Sequence, residues 1–119
     1  MEKPIDAYWN LKLESVKQNL EQNNFEVYVA QKASDAAAIA SNTIIPGLDI
    51  KSVSWGGSMS FVETGLFHEL KGRDDLTVLN TFNKKLEKEK LMELRRQSLL
   101  VDLYITSSNA VTEGGHLVN

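Results

Sequence analysis

The feature that most constrains this chain is the stretch SVSWGGSMSFVETG, Ser52 to Gly65. An alternating apolar run, Ile50 to Trp55, reads as a strand. It passes through Gly56 and Gly57 into a segment with helical spacing, Ser60 to about Leu70, where Ser60 and Glu63 are spaced as a capping box. A strand feeding directly into a helix is half of a crossover unit, and crossovers join parallel strands. The two glycines therefore stand where a parallel sheet would present the carboxyl end of a strand.

The rest of the chain repeats this alternation. Pro4 suits the first turn of a helix, and Ile5, Trp9, Leu13, Val16 and Leu20 recur on one face, with Trp9 expected in the core. Asn23-Asn24 is the expected stop, because Asn tolerates the left-handed conformation. Phe25 to Ala30 alternates and reads as a strand. Ser34 is placed to cap an alanine-rich helix that Pro46-Gly47 ends. Leu76 to Leu79 reads as a short strand, Asn83 or Lys84 to Ser98 as a charged, solvated helix, and Asp102 to Thr106 as a strand. The segment SSNAVTEGG reads as a loop, and His116 to Asn119 as the opening of one more strand. Gly65 is read as a small residue for close helix packing. The expected fold class is α/β: a mostly parallel sheet with helices on both faces, in a single domain over residues 1–119.

Composition narrows the function classes. The chain has 119 residues and a net charge of −3, with no basic stripe, which disfavours nucleic acid as a partner. It has no cysteine, so it carries no disulfide, thiolate nucleophile or iron–sulfur cluster of its own. His68 and His116 lack metal-ligand spacing, so no metal site is expected. No apolar leader or 18-residue apolar run is present, so a cytoplasmic location without a membrane partner is expected.

Two loops carry the candidate chemistry. Ligands of open parallel sheets bind outside the carboxyl ends of the strands. Trp55, Gly56, Gly57 and Ser58 lie at such an end, where free N–H groups and a hydroxyl suit a small anionic metabolite. The competing reading is a tight turn that Ser58 merely caps. The second loop contains Ser108, Asn109, Thr112, Glu113, Gly114 and Gly115. In a parallel sheet both loops leave one edge and can face one cleft. Glu113 is then the candidate catalytic residue, as general base, nucleophile or acceptor for a ligand hydroxyl. The competing reading is a run of turns with Glu113 in solvent.

Taken together, SWGGSMSFVETGLFHEL and DLYITSSNAVTEGGHLVN resemble the LUD domain family of LutC-type lactate utilization proteins. Asp102, Asn109, Ala110, Val111, Thr112, Glu113, Gly115, Leu117, Val118 and Asn119 match the second family block in order. The resemblance implies a NagB/RpiA/CoA-transferase-like fold. It also implies a family domain that continues past Asn119, so that this chain corresponds to the N-terminal part of an incomplete domain. The function it implies is a component supporting L-lactate oxidation to pyruvate with iron–sulfur partner proteins. The alternative is an enzyme or sensor of the same fold that binds a phosphosugar, nucleotide or acyl-CoA. The glutamate nucleophile of CoA transferases lies in a different motif and is not transferred to Glu113. No cofactor is identified. A strand ending at Asn119 exposes backbone groups that favour a homo-oligomer.

Overall fold

The computed structural model describes residues 3–119. Helix α1 spans Pro4–Gln22, with Pro4 at its first position. Helix α2, Ala33–Ile39, runs on through a π turn, Ala40–Ile44, and a 3-10 turn, Ile45–Gly47. Strand β1 is Ser52–Trp55, followed by α3, Met59–Glu63, and α4, Leu66–Lys71. Strand β2 is Thr77–Val78, helix α5 is Lys88–Ser98 and strand β3 is Leu103–Ile105. Strands β4, Ala110–Val111, and β5, Leu117–Val118, close the order.

The chain divides into two compact units. The larger, Gln31–Ser107, holds a parallel sheet in the order β2-β1-β3. Val53 pairs with Val78 on one side and Leu103 on the other, and Trp55 pairs with Ile105. The central strand is buried on both faces, with Val53 and Trp55 on one and Ser54 on the other. Ser54 satisfies its buried hydroxyl by donating to the Leu79 carbonyl at 2.8 Å. Trp55 centres the core, its ring 5.2 Å from Phe61 and 5.3 Å from Phe67, with Phe82 at 5.9 Å. Leu70 and Val53 are fully enclosed beside it.

The smaller unit joins the chain up to Ala30 with Ser108–Asn119. In it β4 and β5 form an antiparallel hairpin, Ala110 opposite Val118 and Val111 opposite Leu117. This corrects the expected single sheet: the final strand pairs with part of the segment read as loop. None of the described α1 residues is buried, and Trp9, expected in the core, is 52% exposed.

Other boundaries shift for local reasons. Phe25 to Ala30 is not a strand; it has no ladder partner, and the Phe25 N–H instead closes α1 on the Leu20 carbonyl at 3.1 Å. Asn24, at φ +70°, supplies the left-handed stop read from sequence. Helix α2 starts at Ala33 with no side-chain cap, so Ser34 does not cap it. The expected helix over residues 60–70 is two helices, because Gly65 adopts φ +85°. No atom lies within 4 Å of a Cβ built there, so the glycine serves that turn and not close packing. Helix α5 starts at Lys88: Asn83 Oδ1 accepts from the Lys85 N–H and holds a turn where the helix was expected.

Candidate functional site

At the carboxyl edge of the parallel sheet, β1 and β3 end in register and both chains turn there. The Gly56 N–H extends the pairing by donating to the Ile105 carbonyl at 2.9 Å. A Cβ on Gly56 would lie 3.1 Å from the Tyr104 hydroxyl and 3.2 Å from Thr106 Oγ1, so this glycine makes room for its neighbouring strand. Gly57 differs: nothing lies within 4 Å of its Cβ position, and that space is open. Trp55, expected to line the cleft, is 1% exposed and belongs to the core; its carbonyl accepts from the Thr81 hydroxyl.

Ser58 is the N-cap of α3, two residues before the Ser60 that the capping-box spacing suggested. Its Oγ accepts from the Phe61 N–H at 3.1 Å and donates to Ser107 Oγ at 2.8 Å. Ser58 is buried and Ser107 is exposed. Ser58 thus bonds the helix and Ser107 at once, and the exposed Ser107 hydroxyl keeps hydrogen-bonding capacity toward solvent. The exposed hydroxyl at this edge is that of Ser107, which lines a cavity of about 210 Å³ with Thr106, Ile105, Ser58 and Phe61. Helix α3 has five residues, too few for a large macrodipole, so the edge offers hydroxyls and backbone N–H groups more than helix charge.

At the opposite end of the sheet, the Asp102 carboxylate accepts from the Lys51 N–H at 2.8 Å and the Ser52 N–H at 3.3 Å, and the Asp102 N–H donates to Ser52 Oγ at 2.9 Å. The Lys51 N–H bond, more than the Ser52 bonds, holds the Asp102 carboxyl below its ordinary pKa.

The Ser108 to Gly115 loop belongs to the smaller unit. Asn109 and Ala110 are exposed there, and Ser108 is half-buried. Thr112 holds the turn: its N–H donates to the His116 carbonyl and its hydroxyl accepts from the His116 N–H. Helix α1 grips this loop. Asn19 Nδ2 donates to the Glu113 carbonyl at 2.6 Å, and Asn23 Nδ2 donates to those of Gly115 at 2.8 Å and Gly114 at 3.3 Å. Gly115, at φ +87°, is the buried residue of the loop.

Glu113 points its carboxylate at Lys12, with Oε1 2.6 Å from Nζ. The hydrogen bond from Lys12 and its charge lower the Glu113 pKa, and the same bond, together with one to Tyr8, raises that of Lys12. A carboxylate so held is ionised throughout the neutral range and is a correspondingly weak proton acceptor. Lys12 also sits 5.6 Å from the Tyr8 ring centroid and 5.9 Å from that of Trp9. Tyr8, Lys12, Ser15 and Glu113 share a shallow pocket of about 320 Å³.

Sequence reasoning missed Ser107, Lys12, Asn19 and Asn23. Ser107 lies in the segment read as a loop, but its bond to Ser58 spans 49 residues. Asn19 and Glu113 are 94 residues apart, and no spacing rule spans that distance. No group of three or more His, Cys, Asp or Glu able to hold a metal ion occurs among the described residues, and no helix among them is long and apolar enough to cross a membrane.

A family model described as LUD domain matches residues 13–119. Comparison with curated proteins and with solved structures gives no match.

Proposed function

The chain belongs to the LUD domain family, a family associated with lactate utilization, and on that premise we propose that it is a LutC-type component supporting L-lactate oxidation to pyruvate. The observation that carries this reading is the family match over residues 13–119, which spans both the Gly56-Gly57 turn and the Ser108–Gly115 loop. The chain has no cysteine, so electron transfer through thiolate-bound clusters falls to iron–sulfur partner proteins. Its own part is to bind a small anionic metabolite at the edge of the parallel sheet, with the Gly57 N–H and the Ser107 hydroxyl.

Affinity purification of the tagged full-length protein from lactate-grown cells tests the assignment. Recovery of an identified iron- and sulfide-containing partner supports it; a preparation without such a partner counts against it. Thermal stabilisation by L-lactate and pyruvate reads binding directly, since a ligand of the folded state raises the melting temperature by mass action.

A second reading is favoured by the parallel β2-β1-β3 order with a glycine pair at the end of its central strand. It is a NagB/RpiA/CoA-transferase-like enzyme or sensor for a phosphosugar, nucleotide or acyl-CoA. Stabilisation by one of these and not by lactate or pyruvate, abolished in Gly57→Val, selects it.

A further inference from the structure

On the other side of α3 the larger unit opens a groove of about 880 Å³. It begins at the carboxyl end of β2 and runs between α4 and α5. Its floor is aromatic, with the half-buried Phe67 and Phe82, and the lining adds Leu91 and the exposed Met59. Its walls carry Lys71, Lys84, Lys85 and Arg95, and no acidic residue lines it. Among the described residues none of these four cations is paired with a carboxylate. The chain as a whole is negative, at −3, so this is a local positive field against the sign of the molecule.

Two amides add to it. Asn80 Oδ1 accepts from the Phe82 N–H and Asn83 Oδ1 from the Lys85 N–H, each at 3.0 Å. Both oxygens face their own backbone, so each side chain is left to offer its NH₂ donors. Phe67 and Phe82, 5.3 Å apart at 61°, form the aromatic part of the floor. The Lys71 ammonium lies 5.9 Å from the Phe67 centroid, where charge meets ring.

We infer that this groove binds a nucleoside polyphosphate, the phosphates between the lysines and Arg95 and the base against Phe67, Phe82 and Met59. Four cations with no carboxylate call for several negative charges on one ligand, as a polyphosphate supplies. An aromatic floor with a thioether in the lining suits a flat polarisable ring. The volume suits a ligand of that size, since small-molecule sites span about 300–1,000 Å³, and it is far larger than a three-carbon acid requires. The inference does not depend on the lactate reading.

The test is displacement of a fluorescent N-methylanthraniloyl-ADP from the full chain at low ionic strength. ATP is expected to displace it, with adenosine and inorganic tripolyphosphate each at least about tenfold weaker. The double reversal Lys84→Glu/Lys85→Glu, at exposed positions, is expected to weaken binding at least about tenfold, and Arg95→Gln severalfold. The reversal Lys32→Glu/Lys51→Glu changes the net charge equally, at two exposed positions that do not line the groove, and is expected to shift affinity less than about threefold. Melting curves verify that each variant is folded. No displaceable binding overturns the proposal. So does equal displacement by ATP and tripolyphosphate, which would leave the aromatic floor without a role, or equal loss in the two reversals.

Discussion

A Cβ placed on Gly115 would lie 2.6 Å from both the carbonyl carbon and the carbonyl oxygen of Asn19. The loop that carries Glu113 therefore lies directly on the backbone of α1, and only glycine allows it. Gly115 also holds φ +87°, which alone costs a residue with a Cβ about 1–2 kcal/mol. Gly115→Ala is expected to lower unfolding stability by at least about 2 kcal/mol once the clash is added. Gly57→Ala, with open space around its Cβ position, should stay within about 0.5 kcal/mol of the parent. Urea denaturation of the two variants side by side checks this contrast.

The Lys12–Glu113 pair sets a pH dependence in the same unit. Glu113 has a lowered pKa, so its contribution is present above its unfolded pKa and is lost as pH falls through the lower folded value. Lys12 has a raised pKa, so its contribution is present below its unfolded pKa and lost as pH rises through the higher folded value. A double-mutant cycle with Lys12→Met and Glu113→Gln should give favourable coupling at neutral pH. That coupling should fade as pH drops through the lowered folded pKa of Glu113, and shrink in high salt. Coupling that persists in acid would show that the two side chains interact by packing, not by charge.

Much of the larger unit was legible in the sequence, because local signals and tertiary demands agree there. The run Ile50 to Trp55 alternates, ends at glycines and is followed by helical spacing; β1 and the turn after it appear where those residues put them. The smaller unit was less legible. Phe25 to Ala30 has strand composition but finds no ladder partner, and β composition without a partner makes no strand. Ala110 and Val111 lie among turn formers, yet pair with Val118 and Leu117 because the Thr112–His116 hydrogen bonds close a hairpin around them. The sites divide in the same way. Ser58 could be read as a cap from its own neighbourhood, whereas Lys12 with Glu113, and the basic groove with Phe82, are assembled by contacts remote in sequence.

Ser58 and Ser107 should separate stability from binding. Ser58→Ala removes the α3 cap and a buried hydrogen bond, an expected loss of about 1–2 kcal/mol. Ser107→Ala leaves the cap bond to Phe61 intact, but it removes the acceptor of the buried Ser58 hydroxyl together with the exposed donor. Its stability should fall by about 1 kcal/mol, less than in Ser58→Ala because the helix cap is kept, while any small anion bound at the sheet edge should lose affinity severalfold. Thermal melts with and without ligand read both quantities.

Asp102 links the starts of β1 and β3, so its ionisation should be felt in the sheet. Its folded pKa lies below the ordinary value because the Lys51 N–H, and then the Ser52 groups, bond the charged form. A depressed carboxyl contributes stability above its unfolded pKa and loses it as pH falls through the folded pKa. Asp102→Ala should therefore be less stable than the parent at neutral pH, and the gap should narrow in acid as the parent loses the same contribution. Asp102→Asn retains an amide oxygen for the Lys51 N–H, and should fall between the two at neutral pH without the acid-dependent part. Denaturation of the three proteins between neutral and acidic pH distinguishes these cases. A gap that stays constant with pH would assign Asp102 a geometric role alone, as the acceptor that aligns the first residues of the two strands.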